Sequence, residues 1–305
     1  MIRKSFSPYR YIIHRNIHYF MILPAILILF SIVIYPMIYS FWISLHTWYL
    51  GKPQQFPFVG LSNYYALLFK DSVFRISLRN TLVILSVCIP VEFALGLILA
   101  LLLNRKDLKG RKIFRSILIA PVVLTPVVAG VLWKFIFHPR LGILNYLLSL
   151  VGIRGIEWVA DPRFALVSVM MVDIWQWTAF MMLVLYAGII SLPREPYEAA
   201  QLDGATSWQQ FIYLTMPLLR PIIIVALLIR TMDIVKIFDV IYVLTRGGPG
   251  DATEVLTLYN FRVGLNYFDM GKAAAMSWII AIIIILLAQA YLRIIQTEPF
   301  GRGAI

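Results

Sequence analysis

Six stretches of the chain consist almost entirely of apolar residues, and each is long enough to cross a bilayer as a helix. They cover approximately residues 19–45, 82–103, 117–137, 164–190, 222–244 and 273–292. A hydrocarbon core of about 30 Å needs roughly 20 apolar residues in helical conformation. Continuous apolar runs of this length predict an all-α polytopic membrane protein with six transmembrane helices.

The overall composition agrees with the apolar runs. Of the 305 residues, 61% are hydrophobic and 14% are charged, whereas soluble domains have about 45–50% apolar and about 25% charged residues. The first run is too long for the core of a signal peptide and contains Pro24 and Pro36, so we interpret it as a retained span. The single cysteine, Cys88, excludes a disulfide framework, and the histidines do not cluster as metal ligands.

The net charge of +12 could indicate nucleic-acid binding, but the basic residues follow the predicted topology instead. Residues 105–115, after the second run, hold six lysines and arginines. The N-terminal segment, the loop after the fourth run and the C-terminal end are also basic, whereas the opposite loops are longer and less densely charged. The positive-inside rule then places both termini in the cytoplasm. We therefore divide the chain into a cytoplasmic segment (1–18), a transmembrane domain (19–295) and a cytoplasmic tail (296–305).

A polar segment between the fourth and fifth runs contains residues typical of the start and the end of a short helix. It reads EPYEAAQLDGATSWQQFIYLTMP and covers residues 195–217, within a predicted cytoplasmic loop at 191–220. Pro196 suits a first helical turn, where a missing N–H costs nothing. Gly204 stands where a helix ends in the left-handed conformation.

A second short helix is predicted directly after the first. Thr206 or Ser207 can cap it, with a glutamine three residues further on in capping-box spacing. We expect Pro217 and Pro221 to end this element and lead the chain back into the bilayer. A simple re-entry loop on the membrane surface is the alternative, but it would not need so many caps. The pattern favours a rigid element that docks onto a cytoplasmic partner.

The spacing of this segment resembles the signature loop of permease subunits in bacterial binding-protein-dependent ABC importers. That signature is E-A-A, three residues, G, nine residues, an aliphatic residue, one residue, an aliphatic residue and P. It is matched by Glu198-Ala199-Ala200, Gly204, Leu214, Met216 and Pro217. The family more often has Ile and Leu at the two aliphatic positions, so Leu214 and Met216 are mild departures.

The resemblance extends over nearly the whole chain. The stretches VGLSNYYALL, TRGGPGDAT and FDMGKAAAMS are similar to the sugar-permease branch that includes the maltose and glycerol-3-phosphate systems. The resemblance implies a type I ABC importer permease fold in a bacterial inner membrane. It also implies these ATPase-coupling residues: Glu198, Ala199, Ala200, Asp203, Gly204, Ala205, Phe211 and Pro217.

The same resemblance implies a set of partners and a non-catalytic role. A second permease of similar fold, two cytoplasmic ATPase subunits and an extracytoplasmic solute-binding protein are expected. ATP and Mg would be bound by the ATPases, because this chain contains no G-x-x-x-x-G-K-[ST] phosphate loop. No cofactor of its own is expected.

The fourth span places three polar or aromatic side chains on one face. Asp173, Gln176 and Trp177 have i, i+3, i+4 spacing. A carboxylate and an amide can bind hydroxyl groups while the indole covers an apolar sugar face, so a substrate contact is one interpretation. The other is that Trp177 lies at the membrane interface and Asp173 pairs with a nearby basic group.

The fifth span contains Arg230, Asp233, Lys236 and Asp239, each three residues apart. Ionisable groups within spans face a cavity or a partner, and neighbours in this set could form an internal ion-pair ladder. Glu92 in the second span is isolated in sequence and should meet a residue on another helix. The predicted substrate-pathway residues are Asp173, Gln176, Trp177, Arg230, Asp233 and Lys236.

Two other functions fit parts of the pattern. A secondary, ion-coupled transporter would also use paired charges within its spans. A scaffold or receptor would give no reason for those charges. The sequence leaves the cargo open among disaccharides, other oligosaccharides, polyols and sugar phosphates.

Overall fold

The structure, a computed structural model, describes residues 21–105 and 107–296. The terminal segments that we predict to be cytoplasmic lie outside this range, apart from Gln296. The helices of the described residues follow one another as α1 (Met21–Ser44), α2 (Ser62–Tyr65), α3 (Ser72–Asn104), α4 (Arg111–Val123), α5 (Pro126–Ile136), α6 (Ile143–Leu150), α7 (Pro162–Ser191), α8 (Glu195–Leu202), α9 (Ser207–Gln210), α10 (Met216–Val235), α11 (Asp239–Leu244), α12 (Leu256–Phe261) and α13 (Met270–Gln296). Extended structure in the described part is confined to two isolated bridges.

Within the described ranges, five helices are long and apolar enough to cross a membrane, and a sixth span forms if one bent pair is counted as a unit. The predicted class, an all-α polytopic membrane protein, is confirmed. The predicted third span, 117–137, is not one straight helix, because α4 and α5 meet at 101°. The side chain of Thr125 accepts a hydrogen bond from the Val128 N–H at 3.4 Å and Pro126 opens α5, so a new helix begins in the middle of the apolar run.

The predicted fifth span differs from the structure at both ends. Pro217 and Pro221 do not end the preceding element, because the chain stays helical from Ser207 to Val235. A π-helical turn over Phe211–Thr215 precedes Pro217, which occupies the first turn of α10, where a missing N–H is tolerated. At the other end, helical geometry stops after Val235 and resumes as α11.

The chain forms two compact units. The smaller consists of the described residues up to Ala66 together with Val263–Trp278. Its centre is His46, which lies between aromatic rings and whose Nδ1 is 2.8 Å from the Trp42 carbonyl oxygen. Asn63 donates to the carbonyls of Ser44 and His46, at 2.9 Å each, and so closes the loop that follows α1.

The larger unit is Leu67–Arg262 with the remainder of α13, and α3 and α7 form its central pair. A side chain at Gly96 of α3 would lie 2.8 Å from the Met181 Cβ, so the two backbones approach as closely as small residues allow. One apolar core lies around Ile84 and Val172, and a second around Leu97 and Met182. The helices α4 and α10 pack against this pair.

The loop between α11 and α12 contains the glycine- and proline-rich turn predicted from the sequence. Arg246, Gly247 and Gly250 have positive φ. On α3, the Asn80 side chain donates to the carbonyls of Asp251, Ala252 and Glu254 at 2.9–3.2 Å. The loop is therefore fastened to the central helix pair.

Glu254 in this loop is fully buried and pairs with Arg262 at 3.0 Å. Burial raises the pKa of Glu254 to about 7, although Arg262 opposes the shift and Asp251 adds to it. A carboxyl whose pKa is raised by folding stabilises the fold most at low pH, and that contribution is lost as pH rises through about 7. We expect the pH dependence of stability to contain such a step.

The substitution Glu254→Gln should remove this step. The stability of the variant is expected to depend less on pH than that of the wild type between pH 5 and 8, by about 3 kcal/mol at most, because the pKa of Glu254 rises from 4.5 to about 7 and one pKa unit corresponds to about 1.4 kcal/mol. Thermal unfolding of the purified protein across this range measures the difference. Glu157→Gln, at an exposed carboxylate, is the control, and a wild-type step that persists in Glu254→Gln would contradict the assignment.

Candidate functional site

Arg230 of α10 is the centre of a buried charged cluster. It is 1% exposed, and its Nε and Nη2 donate to the two carboxylate oxygens of Glu92 at 2.7 and 2.9 Å. Its Nη2 also donates to Asp173. This cluster joins α3, α7 and α10, and it confirms the predictions that Glu92 meets another helix and that Asp173 pairs with a basic group.

Trp177 lies against the same guanidinium. The Arg230 Cζ is 4.6 Å from the centroid of the indole, within the range of a cation–π contact. Asp173 and Trp177 thus share a helix face, as their spacing predicted, and both are fixed by Arg230.

The possible ion-pair ladder in the fifth span does not include Arg230. This residue pairs with Glu92 and Asp173 on other helices rather than with Asp233. Asp233 pairs with Lys236 at 3.5 Å, as the ladder required. Both side chains are partly exposed, so this pair contributes little to stability. Asp239 stands in the first turn of α11, beyond the break.

A cavity of about 260 Å³ opens beside these charges. It lies where the fifth apolar run is broken after Val235 and where the third is bent before Pro126. Broken helices commonly line solute sites within membranes, because their free backbone groups need polar partners. Its lining residues are Pro126, Asp173, Trp177, Arg230, Asp233, Lys236, Ile237, Phe238, Asp239 and Val240.

The cavity collects five of the six predicted pathway residues, and Gln176 is the exception. Gln176 is buried and its Nε2 donates to the Leu124 carbonyl at 2.8 Å, so it supports the bend between α4 and α5. Its amide acts on the backbone that shapes the cavity. The lining residues Pro126 and Asp239 are absent from the predicted set, because their position depends on the two helix breaks.

Cys88 lies next to the two buried carboxylates. The ligand atoms of Cys88, Glu92 and Asp173 are within 4.8 Å of one another, which is close enough for a shared metal ion. Arg230 already bonds both carboxylates and supplies the compensating positive charge. The two carboxylates therefore belong to an ion-pair network centred on Arg230.

The second candidate region is the segment with the permease-like spacing. Pro196 lies in the first turn of α8, and Gly204 ends it with φ +76°. The side chain of Thr206 and that of Gln209 form a reciprocal capping box at the start of α9. These features confirm the predicted helix pair, with Thr206 rather than Ser207 as the cap.

Most of the predicted coupling residues are accessible. Glu198, Ala199, Asp203, Gly204 and Pro217 are exposed, whereas Ala200, Ala205 and Phe211 are half-buried.

Two apolar side chains next to these residues were not in the predicted set, and both are largely exposed to solvent. Leu202 is 90% exposed and Trp208 is 68% exposed. Their apolar character in a polar loop is the sequence signal that could have identified them.

These features define a class of protein: a polytopic membrane permease with a charged cavity at broken helices and a preformed surface helix between two spans. Residues 92–297 match the family described as binding-protein-dependent transport system inner membrane component. The trehalose/maltose transport system permease protein MalF of Thermococcus litoralis is 37% identical, over 90% of this chain and 92% of that protein. A probable ABC transporter permease protein of Sinorhizobium fredii is 39% identical, over 87% and 85%.

A solved structure shows the same architecture. A chain of a bacterial alginate ABC transporter, crystallised with an alginate pentasaccharide-bound periplasmic protein, matches with a TM-score of 0.79, 25% identity, and coverage of 96% of this chain and 98% of that one. The chain belongs to the binding-protein-dependent transport system inner membrane component family, and it is a permease subunit of an ABC sugar importer.

Proposed function

We propose that this chain forms one half of a translocation pathway, and that the cavity beside Trp177 is its contribution to the solute path. A second permease of similar fold supplies the other half. Two cytoplasmic ATPase subunits bind ATP and Mg, and an extracytoplasmic binding protein delivers the solute. The complex lies in a bacterial inner membrane, with both termini of this chain in the cytoplasm.

The observation that carries this proposal is a continuous helical connection between the surface segment and the cavity. The Tyr197 hydroxyl of α8 lies 3.0 Å from the Thr215 hydroxyl, which holds α8 against the helical rod that begins at Ser207. The rod continues to Val235, over about 43 Å at 1.5 Å per residue. It ends next to the lining residues of the cavity, so a movement of α8 would also move the residues that line the solute path.

The exposed groups of α8 fit a close contact with an ATPase. Ala199 and Ala200 have small side chains that let a partner backbone approach, and Glu198 presents one negative charge. Leu202 and Trp208 add apolar area that water would leave on burial. Docking there would connect closure of the ATPases to movement of the spans.

The coupling is thermodynamic. ATP binding and the loaded binding protein both favour the same global state of the permease, so each lowers the free energy that the other must supply. The chain itself performs no covalent chemistry in this scheme. The ion-coupled alternative gains no support, because the family match and the relatives named above are components of binding-protein-dependent or ABC transport systems.

A matched pair of tryptophans tests the role of the cavity. Trp177 lines it, whereas Trp175, on the same helix, packs edge to face with Trp133 at 5.6 Å. We expect Trp177→Leu to lower ATP-driven sugar uptake per assembled complex at least tenfold, because the ring that covers the solute is lost. Trp175→Leu should lower the yield of complex but preserve uptake per complex.

The assay is uptake into proteoliposomes that contain both permeases, the ATPases and the binding protein. Equal uptake by the Trp177 variant and the wild type would remove the cavity from the solute path.

A further inference from the structure

The charges around the cavity do not balance. Its lining contains two cations, Arg230 and Lys236, and three carboxylates, Asp173, Asp233 and Asp239. Glu92 stands directly behind Arg230. The wall supplied by this chain therefore carries more negative than positive groups.

Arg230 is not available to an anionic solute, and the charge of Lys236 is offset by a neighbouring carboxylate. Arg230 is 1% exposed and holds two carboxylates, so turning towards a ligand would leave buried charges unpaired, at a cost of several kcal/mol. Even if Glu92 and Asp173 shared one proton, the remaining negative charge would neutralise Arg230. Lys236 is more accessible, but its nearest acid is Asp233 at 3.5 Å.

The helix ends do not reverse this balance. A helix N-terminus carries roughly half a positive charge, and both α5 and α11 begin beside the cavity. Asp239 stands in the first turn of α11 and offsets that end. The partial charge at the start of α5 is smaller than the remaining excess of carboxylates.

The hydrogen-bonding character of the wall points the same way. Ionised carboxylates only accept hydrogen bonds, and hydroxyl groups can donate to them. A carboxylate or sulfonate on the solute also only accepts, so it cannot hydrogen-bond to Asp233 or Asp239 and is repelled by their like charge. The half-buried Trp177 ring adds an apolar surface suited to a sugar ring.

We propose that this cavity selects uncharged, polyhydroxylated sugars and rejects acidic ones, including sugar phosphates, uronates and sulfonated sugars. This inference rests on the proposed function for its cargo, but the potential of the cavity can be measured without any cargo. Like charges repel more strongly in a protein cavity than in bulk water, because the effective dielectric constant is lower. The excess of carboxylates therefore disfavours an anion in the cavity.

A cysteine placed in the cavity reports its potential. In a Cys88→Ala background, Ile237→Cys introduces a thiol at a lining position, and Ser149→Cys introduces one at an exposed position on α6. Each nucleotide-free assembled complex is treated with a cationic and an anionic methanethiosulfonate reagent of similar size. After normalisation to Ser149→Cys, we expect the cationic reagent to react at least tenfold faster at Ile237→Cys.

Neutralising the wall should reduce this preference. The double substitution Asp233→Asn/Asp239→Asn is expected to lower the ratio at least threefold, and Glu157→Gln, outside the cavity, should leave it unchanged. A ratio near one, a preference for the anionic reagent, or a ratio insensitive to the double substitution would each overturn the proposal. None of these results depends on whether the complex transports sugar.

Protection by solutes tests the cargo. A neutral glucose disaccharide should slow modification of Ile237→Cys at least threefold more than its uronic acid form, in which one hydroxymethyl group is a carboxylate. Equal protection by the acid would overturn the inference about cargo even if the potential is negative. Protection by neither sugar, together with a negative potential, would count against the proposed solute path and not against the charge of the wall.

Discussion

Replacing Arg230 with methionine is expected to prevent stable accumulation of the protein in the membrane. The substitution leaves Glu92 and Asp173, both fully or almost fully buried, without the guanidinium that pairs with each of them. Breaking a buried ion pair by removing one member costs about 3–5 kcal/mol, which is a large fraction of the stability of most proteins. The amount of protein in the membrane and the thermal unfolding of the purified complex measure the effect.

Two further variants separate the ion network from a general effect of losing charge. Lys236→Met removes a cation of the same cavity whose partner, Asp233, is partly exposed, and it should change stability by less than about 1 kcal/mol. The triple variant Arg230→Met/Glu92→Gln/Asp173→Asn removes the charges together and should recover much of the lost stability. If Arg230→Met were as stable as Lys236→Met, the cluster would not hold α3, α7 and α10 together.

The sequence was sufficient for the class of fold, because apolar run length is a local property. A run of about 20 apolar residues crosses a bilayer whichever helices surround it, and each long helix of the described residues contains most or all of a predicted run. The caps of α8 and α9 were also predictable, since Gly204, Thr206 and Gln209 act within one or two turns. Local signals of this kind do not depend on tertiary contacts.

The two helix interruptions differ in whether a local sequence signal could have predicted them. The bend before Pro126 had a local signal, because a threonine cap followed by proline is typical of a helix start; the hydropathy of the run concealed it. The break after Val235 has no glycine or proline. It is held by a distant group, the Thr257 hydroxyl, which donates to the Ile237 carbonyl.

The sequence indicated that Glu92 and Asp173 have partners, but it did not identify Arg230 as the partner of both, for a similar reason. Glu92 and Arg230 are 138 positions apart, whereas the spacing within the fifth span allowed Asp233 as a nearer partner of Arg230. Burial distinguishes the two possibilities, because Arg230 lies in the interior while Asp233 is partly exposed. A one-dimensional pattern contains no information on that choice.

Replacing Gly204 with valine is expected to abolish ATP-driven uptake while the membrane-spanning helices remain folded. Gly204 has φ +76° and open space where a β-carbon would lie, so a β-branched residue would be strained only by its backbone conformation. Relief of that strain would move the end of α8 relative to Thr206. Because Tyr197 and Thr215 connect α8 to the rod that reaches the cavity, the misplaced helix would no longer transmit closure of the ATPases.

Gly152 supplies a control of the same geometry. It follows α6 with φ +75° and equally open space, so Gly152→Val should cost similar stability, of order 1–2 kcal/mol, without affecting coupling. We expect uptake per complex to fall at least tenfold in Gly204→Val and less than twofold in Gly152→Val. Similar losses in both variants would mean that backbone strain alone explains the effect.

Glu198 tests the same contact through charge. Glu195 and Glu198 both lie in the first turn of α8 and both are exposed, so replacing either by alanine removes one carboxylate from the same helix end. Only Glu198 occupies the first position of the E-A-A signature, and we expect Glu198→Ala to weaken co-purification of the ATPases and lower uptake severalfold. Glu195→Ala should do neither, since a helix-end charge contributes only about 0.3–1 kcal/mol. Loss of ATPase binding in both variants would instead assign the interaction to the general negative charge of α8.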